Sequence, residues 1–282
     1  MTRLKTRLAF AALAFSALTL PAMADPSRIV GLGGTVSEIV AALGQDSRMV
    51  ARDSTSTFPE SLAALPDVGY VRALSPEGVL SLEPDLILAD EGAGPAETVD
   101  VLKASGVPYV VVPDSFAPDG IAKKIEVIGA ALGQQTAAAE LAARVDAGLA
   151  EARAKADAIG TKKSVLFILT LQGGRVMAAG EGSSAEAIIH LAGGVNAATG
   201  FQGYKPMTDE AVLAAAPDAI LMMDREGPRT VSNDDVKALP ALAETPAVKS
   251  DAIIRMDGLK LLGFGPRTPE AANELRAALY GQ

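Results

Sequence analysis

A stretch of fourteen residues occurs twice in this 282-residue chain, and this internal repeat points to duplicated architecture. Residues 75–88, SPEGVLSLEPDLIL, align without a gap with residues 208–221, TDEAVLAAAPDAIL, 133 positions later, and eight positions correspond. In each copy a Ser or Thr can cap a helix whose first turn carries a Glu, and a Pro-Asp pair then leads into an apolar strand. We therefore expect two related lobes.

Strand and helix patterns alternate along the chain. Short apolar runs bounded by turn residues predict seven strands, with helical periodicity between them. The predicted strands are 28–32, 49–52, 86–89, 109–112, 165–169, 220–223 and 253–256. Such alternation favours an α/β fold in which each lobe is a mainly parallel sheet flanked by helices.

One long helix is predicted between the two copies of the repeat. Residues 134–158 contain no Pro and only one Gly, and they place Leu141, Val145 and Leu149 four residues apart. This pattern predicts a helix of about 37 Å, which either joins the lobes or is an ordinary surface helix. The predicted lobes are then 25–133 and 159–282, and the ligand cleft lies between them.

Residues 1–24 have the pattern of a secretory signal peptide. Three basic residues precede a 13-residue apolar run at 8–20, and small residues then lead to a predicted cleavage after Ala24. A transmembrane anchor is the alternative, but the run is shorter than the roughly 20 residues that a span needs. Because the chain has no Cys, a lipidated N-terminal cysteine is excluded. The expected location is the periplasm, without a membrane anchor.

Composition excludes several kinds of site and partner. The chain has no Cys and a single His, which excludes disulfides, thiolate metal sites and multi-histidine cages. Removing residues 1–24 takes away three basic residues from 25 and no acidic residue from 34, so the net charge falls from −9 to −12. This charge argues against nucleic-acid binding, which depends on Lys and Arg. A cofactor must be held by oxygen, Met sulfur, the one imidazole or shape.

No catalytic motif is present in the sequence. G-x-S-x-G, P-loop and H-E-x-x-H patterns are all missing, and the glycines at 31–34 lack the third glycine of a dinucleotide loop. His190 falls in an apolar helical pattern before Gly193, which favours a packing or surface role over that of a general base. We therefore expect a protein that is not an enzyme and that has no catalytic cofactor.

A Gly-Tyr-Val-Arg segment stands directly before the first copy of the repeat. Tyr70 and Arg72 can lie on the same side of an extended loop, and a guanidinium near a phenol favours the phenolate. Phenolate is a hard anionic ligand for ferric iron, and Tyr is a known axial ligand of haem. The alternative is a loop Tyr that rests on the sheet. Tyr204, in the equivalent loop of the second half, is expected to face the same cleft.

At these residues the sequence resembles the periplasmic haem-binding proteins of bacterial haem ABC importers. The general two-lobe pattern is shared with cobalamin and ferric-siderophore binders, whereas the Gly-Tyr-x-Arg segment is more specific to haem. The resemblance spans the mature chain and rests on Gly69–Leu82, Ala192–Asn196, Tyr204–Pro206 and Leu262–Arg267.

The resemblance implies that haem b (hemin) is the transported ligand and that Tyr70 is its axial iron ligand. It further implies that Arg72 hydrogen-bonds the phenolate, and that an Arg of the second lobe, Arg225 or else Arg229, does the same. The positive charges of Lys205, Arg225, Arg229 and Arg267 make them candidates for the haem propionates. Some relatives hold a second haem through a His of the second lobe; no His lies near 171–174, so one haem is expected.

The resemblance also implies a partner. Glu77 and Glu210, the matched acids of the repeat, are similar to the two glutamates by which such proteins dock on arginines of the permease dimer with its ATPase. The alternative, stabilisation of the helix start, is compatible with docking. The protein itself is expected to be a monomer. Two other functions stay open: a carrier of a ferric siderophore or corrinoid with the same fold, and a secreted α/β hydrolytic enzyme.

Overall fold

The protein is described from a computed structural model that covers residues 25–117, 119–224 and 231–281. The predicted signal peptide, Arg225 and Arg229 lie outside the described residues. Two sheets, separated in the sequence by one long helix, form the framework of two lobes. Among the residues described, no helix is both long enough and apolar enough to cross a membrane.

The first sheet consists of four parallel strands in the order β2-β1-β3-β4. The strands are β1 (Ile29–Leu32), β2 (Met49–Arg52), β3 (Leu86–Asp90) and β4 (Tyr109–Val112). The central strands β1 and β3 are continuous apolar runs because helices cover both faces of a parallel sheet. These helices are α1 (Gly34–Ala42), α2 (Pro76–Leu80), α3 (Ala96–Ala104) and α4 (Gly120–Ala131), with 3-10 turns at Asp46–Arg48 and Glu60–Ala64.

The second sheet is mixed. Its order is β10-β9-β5-β6-β8, with β7 also paired to β5. Strands β10, β9, β5 and β7 are parallel, whereas β6 runs antiparallel to both β5 and β8. The strands are β5 (Ser164–Gln172), β6 (Arg175–Ala179), β7 (Val195–Asn196), β8 (Tyr204–Pro206), β9 (Ala219–Asp224) and β10 (Ile253–Asp257).

In the described part of the second lobe, seven helices complete the lobe and its return to the first. They are α6 (Ser184–Leu191), α7 (Asp209–Ala215), α8 (Asn233–Ala238), α9 (Pro240–Ala243), α10 (Pro246–Lys249), α11 (Gly258–Leu262) and α12 (Thr268–Tyr280). The last of these packs against the long helix α5 (Gln135–Asp157), so the end of the chain supports the connection between the lobes.

The prediction of a two-lobe α/β fold is confirmed, and each of the seven predicted strands has a counterpart. The second lobe departs from the expectation in one region. The segment expected to be a loop near 171–174 is a hairpin, in which β5 continues to Gln172 and Gly173 and Gly174, both with positive φ, make the turn into β6. Tyr204, expected in a loop, lies instead in the short edge strand β8, which pairs with β6.

Helix α5 joins the two sheets. Its 23 residues correspond to about 35 Å, and the predicted stripe of Leu141, Val145 and Leu149 is buried. One continuous apolar core includes this stripe together with residues of both sheets, such as Ile29 and Phe167. Because the lobes share this core, large changes in the angle between them carry a high cost in lost apolar burial.

The repeat is visible in the backbone as well as in the sequence. Glu83 and Ala216, which occupy matched positions 133 residues apart, both have a left-handed backbone, with φ of +49° and +39°. Each follows a short helix that carries one fully buried valine, Val79 or Val212. The two copies therefore fold in the same way, although the left-handed residue is Glu83 in the first copy and Ala216 in the second.

Candidate functional site

A cleft of about 1400 Å³ lies between the lobes and is lined by both of them. It is located at the carboxyl ends of the parallel strands, where open α/β sheets generally bind ligands. Helices α1 and α6 both begin at this cleft. The lining includes many small residues, among them Gly33, Gly34, Thr35, Ser54, Thr55, Gly182, Ser183, Ser184, Gly203, Gly258 and Gly263.

Tyr70 lies in the cleft wall that the first lobe contributes. Gly69 before it has φ +94°, which a side chain rarely tolerates. The carbonyl of Gly69 accepts a hydrogen bond from Ser54 N at 2.9 Å, and its N–H donates to the Asp67 carboxylate at 2.8 Å. Asp67 in turn pairs with Arg52 at the end of β2. The backbone before Tyr70 is therefore fixed to the sheet.

The Tyr70 side chain has no hydrogen-bond partner among the residues that the structure describes. It is 49% exposed, and no described residue makes a hydrogen bond to its hydroxyl. A tethered backbone with a phenol oxygen that no described residue occupies is suited to hold a ligand that enters the cleft.

Arg72 lines the same cleft, but the segment that carries it is not extended as predicted. Ala73 N donates to Tyr70 O at 2.7 Å, which makes a turn centred on Val71 and Arg72. Val71 is buried, and its carbonyl accepts a hydrogen bond from Gly94 N. The buried Val71 therefore anchors the turn, while Tyr70 and Arg72 on either side of it both reach the cleft. Among the described residues no hydrogen bond joins Tyr70 to Arg72.

Tyr204 lines the cleft from the second lobe, as expected. Gly203 before it also has a positive φ, +68°, so both cleft tyrosines follow a left-handed glycine. The Tyr204 ring packs edge-on against Phe167 with centroids 6.3 Å apart, and the Tyr204 hydroxyl shares a hydrogen bond of 3.2 Å with Ser184 Oγ. Burial raises the pKa of Tyr204, although the Ser184 hydroxyl and the Arg72 charge partly counter it. At neutral pH Tyr204 is therefore a phenol and not a phenolate.

The described lining of the cleft contains more acidic than basic residues. Arg72 is the only basic residue among the described lining residues, which also include four carboxylates; Arg225 and Arg229 lie outside the described residues. Asp90, Asp224 and Asp257 are the last residues of β3, β9 and β10, and Asp114 comes two residues after β4. These carboxylates were not predicted, although an Asp directly after a predicted strand, as at 90, 224 and 257, was a visible signal for this edge of the sheet.

Asp90 has a carboxyl pKa that is raised above its ordinary value. Burial raises its pKa, and the nearby Asp114 carboxylate adds to the rise. The Gly92 amide, which donates to Asp90 Oδ1 at 2.8 Å, and the charges of Lys124 and Arg72 act in the opposite direction. Arg72 therefore lies within electrostatic reach of both Asp90 and Tyr204.

Two predicted propionate contacts are placed elsewhere. Lys205 is exposed in β8 next to Tyr204, and because side chains alternate along a strand it is not part of the described cleft lining. Arg267, predicted as a propionate contact, is already paired within the protein. It forms two hydrogen bonds to the buried carboxylate of Glu38, at 3.0 and 3.1 Å, and stacks on Phe58. Its charge is used in joining the second lobe to helix α1.

A second buried charge joins the lobes and was also missed. Lys124 is 1% exposed, pairs with Asp114 at 3.2 Å and donates to Gly263 O of the second lobe at 3.4 Å. Thr35 Oγ1 donates to the same carbonyl at 2.7 Å. A lysine on the apolar face of α4, in line with Ile121 and Ile128, was the sequence signal for this buried charge.

His190 lies on helix α6, as predicted, and its side chain is exposed. It borders a smaller pocket of about 270 Å³ beside α5 and not the cleft between the lobes. The position is consistent with the predicted surface role.

Glu77 and Glu210 are exposed in the first turns of α2 and α7. The two helices are capped in the same way, with Ser75 Oγ accepting from Gly78 N and Thr208 Oγ1 accepting from Ala211 N. Hydrogen bonds from the backbone amide of Glu210 and from the Thr208 hydroxyl lower the pKa of the Glu210 carboxyl, so this carboxylate is ionised at neutral pH.

A sequence model described as periplasmic binding protein matches residues 29–258. The chain belongs to the periplasmic binding protein family. Family membership makes it a substrate-binding protein for transport and not an enzyme, as predicted, and it implies an ABC permease as partner. It also supports export of the chain.

Two solved structures of this family are similar over nearly the whole chain. The periplasmic heme-binding protein RhuT from Roseiflexus sp. RS-1 in apo form is 40% identical, with a TM-score of 0.87 over 90% of this chain and 98% of that one. The periplasmic heme-binding protein BhuT in complex with two hemes is 37% identical, with a TM-score of 0.84 over 89% of this chain and 97% of that one.

Two relatives within the family differ in how much of the chain they match. The uncharacterized ABC transporter substrate-binding lipoprotein YvrC of Bacillus subtilis (strain 168) is 30% identical over 260 residues, which is 91% of this chain and 81% of YvrC. A vitamin B12-binding protein of Yersinia pestis (strain Pestoides F) is 39% identical over 100 residues, which is 36% of this chain and 35% of that protein.

Proposed function

We propose that the protein captures haem (hemin) in the cleft between its lobes through a bond from the Tyr70 phenolate to the iron, and delivers it to an ABC permease. The observation that carries the proposal is the exposed Tyr70 side chain in the cleft, whose hydroxyl has no hydrogen-bond partner among the described residues, on a backbone that is tied to the sheet. The likeness to the heme-binding RhuT and BhuT over about nine-tenths of the chain supports the same ligand class.

The chemistry of the cleft favours an iron that arrives already chelated. No described group of three or more Asp, Glu or His side chains is arranged to hold a bare metal ion. A macrocycle supplies the equatorial ligands of its iron, so the protein needs to supply only an axial oxygen. A cleft of about 1400 Å³ also exceeds the roughly 300–1,000 Å³ of common small-ligand pockets, as a large planar ligand requires.

Arg72 has the role of supporting the phenolate. A positive charge near the phenol oxygen favours its ionised form, and the same charge attracts the anionic propionates of haem. Tyr204, which stays protonated, is available as a hydrogen-bond donor on the opposite wall. Lys205, Arg225 and Arg229 stay predictions as further haem contacts, and one haem per protein is the proposed stoichiometry.

Delivery is proposed to use Glu77 and Glu210. Both carboxylates are exposed on matched helices, which gives a two-fold permease dimer two equivalent points of attachment. We further propose that the mature protein begins at Asp25, after cleavage behind Ala24, and that it is free of a lipid anchor and monomeric. Its lobes would span 25–133 and 159–282, with residues 134–158 as the linker.

A corrinoid is the second candidate ligand. The 39% identity to a vitamin B12-binding protein over 100 residues supports it, and the four cleft carboxylates are less suited to an anionic ligand than to a cationic or neutral one. This alternative keeps the fold and the docking carboxylates but gives Tyr70 no role at a metal.

A direct binding comparison tests the proposed ligand. The mature protein is titrated separately with hemin, cobalamin and a ferric siderophore. Binding is measured by difference absorption spectra and by calorimetry. The proposal expects saturable binding of hemin at a ratio of one to one and none of comparable strength for the other two ligands. Tighter binding of cobalamin than of hemin would establish the corrinoid alternative.

A further inference from the structure

The two matched helices carry more than a matched acid. Leu80 and Leu213 are the residues three positions after Glu77 and Glu210, and they correspond to each other in the repeat. Residues three apart on a helix lie on the same face, so each helix presents a carboxylate beside a leucine. We call Glu77 with Leu80 the α2 docking face and Glu210 with Leu213 the α7 docking face.

Leu213 is the most exposed of the leucines that the structure describes. Leu213 is 46% exposed, and every other leucine that the structure describes is buried or partly buried. The preceding Val212 is fully buried, so α7 already has an apolar residue that anchors it to the core. Leu213 therefore does not serve the packing of its own helix.

The α2 docking face is similar but less exposed. Leu80 is partly covered by the apolar cluster of the first lobe, while Val79 fills the same buried place as Val212. Both helices follow the cleft tyrosines closely, since Ser75 and Thr208, their N-caps, come five and four residues after Tyr70 and Tyr204. The two docking faces thus follow residues that line the cleft, one on each lobe.

We propose that Leu80 and Leu213 are the apolar contacts of permease docking, with Leu213 as the principal one. The proposal rests on the docking role of Glu77 and Glu210 given above. The α2 and α7 docking faces are equivalent, so a partner that contacts both must present the same surface twice. A permease dimer positioned over the cleft meets this requirement. Its surface is expected to hold a basic group beside an apolar pocket, so that the carboxylate sets the register and the leucine adds buried area.

The chain offers a well matched control for Leu213. Val195 is an apolar residue of the same lobe with similar exposure, 39%, in strand β7. It pairs with Ser164 at the start of β5, and so it lies at the edge of the sheet opposite the carboxyl ends that line the cleft. A Val195→Ser variant therefore loses exposed apolar surface without touching either docking face.

The test measures the ATPase activity of a permease–ATPase complex in lipid nanodiscs against the concentration of added substrate-binding protein. Leu213→Ser is expected to raise the half-maximal concentration about fivefold, since burial of an exposed leucine contributes on the order of a tenfold gain in affinity. Leu80→Ser should have a smaller effect, and Val195→Ser none. Unchanged stimulation by Leu213→Ser, in a protein whose Glu77→Ala, Glu210→Ala variant fails to stimulate, would overturn the proposal.

Chemical crosslinking gives an independent readout, because the chain has no cysteine and a single one can be placed freely. Leu213→Cys carrying a benzophenone is expected to crosslink to the permease, and Val195→Cys is not. Equal crosslinking at both positions would contradict the α7 docking face. Hemin titration of the wild-type protein and of each variant distinguishes a failure of the docking proposal from a failure of the haem proposal. A wild-type protein that binds no hemin but still stimulates the ATPase overturns the haem proposal alone.

Discussion

Asp85 and Asp218 make the same hydrogen bond in the two lobes. Asp85 Oδ1 accepts from Arg28 N at 2.8 Å, and Asp218 Oδ2 accepts from Ser164 N at 2.8 Å. Arg28 directly precedes β1 and Ser164 is the first residue of β5, and each aspartate returns a second bond through its own N–H, to Arg28 O or Ser164 O. The Pro-Asp pair of the repeat is therefore a device that sets two parallel strands in register.

Replacement of Asp85 by Ala is expected to lower the free energy of unfolding by about 1 kcal/mol, because three hydrogen bonds from Ser27 and Arg28 are lost at an exposed site. Although burial acts to raise it, these hydrogen bonds lower the pKa of the Asp85 carboxyl. Its contribution is therefore complete above the ordinary aspartate pKa of about 3.9 and is lost as the pH falls through the lower folded value.

Urea unfolding of wild type and Asp85→Ala at pH 7 and pH 3 measures both effects. The difference between the two proteins should be larger at pH 7 than at pH 3. A difference that grows on acidification would contradict this account of Asp85.

Arg267→Ala is expected to destabilise the protein strongly without lowering its affinity for hemin. The variant leaves the Glu38 carboxylate, which is 4% exposed, without its ionic partner, and removal of one partner of a buried ion pair typically costs about 3–5 kcal/mol. The Glu38→Ala, Arg267→Ala double variant should recover part of the loss. Urea denaturation measures the cost; loss of hemin affinity at unchanged stability would instead support the propionate role first predicted for Arg267.

Loss of both docking carboxylates should separate binding from delivery. The Glu77→Ala, Glu210→Ala variant is expected to bind hemin as wild type does and to leave the transporter's ATPase unstimulated, because neither carboxylate lines the cleft. A Glu140→Ala, Asp146→Ala variant changes the net charge equally at two exposed positions of α5 and serves as control. Equal stimulation by the two double variants would remove Glu77 and Glu210 from the docking surface.

The mature N-terminus is open to direct measurement. When the full chain is expressed in a cell with two membranes, the periplasmic fraction should contain a protein that begins at Asp25. Intact mass spectrometry reads this boundary, and an Ala24→Arg variant, which disrupts the small residue before the cleavage position, should accumulate unprocessed. A mass that includes residues 1–24 in the wild-type protein would contradict cleavage after Ala24.

Much of the fold was predictable because its signals are local. The central strands are apolar runs next to turn residues, and the repeat identified Val79 and Val212 as equivalent before either was seen to be buried. Strands β6 and β8 were missed because they pair antiparallel at the edge of the sheet, and β8 ends in Pro206, a residue that ordinarily argues against a strand.

The site was predictable where one segment carries it. The Gly-Tyr-Val-Arg segment brings Tyr70 and Arg72 together through its own turn, which needs no distant partner. The charges between the lobes could not be predicted in this way. Lys124 meets Gly263 across 139 positions, and Arg267 meets Glu38 across 229, so only the packing of the two lobes determines these pairs.

The central claim is that the Tyr70 phenolate binds the iron of haem, and an optical titration with hemin tests it most directly. Wild-type protein should develop a Soret band together with the charge-transfer absorption of a ferric tyrosinate. Tyr70→Phe, which keeps the ring, and Tyr70→Ala should both lose the charge-transfer absorption and bind hemin more weakly, while Tyr204→Phe should keep the absorption. An unchanged spectrum and affinity in Tyr70→Phe would contradict the account.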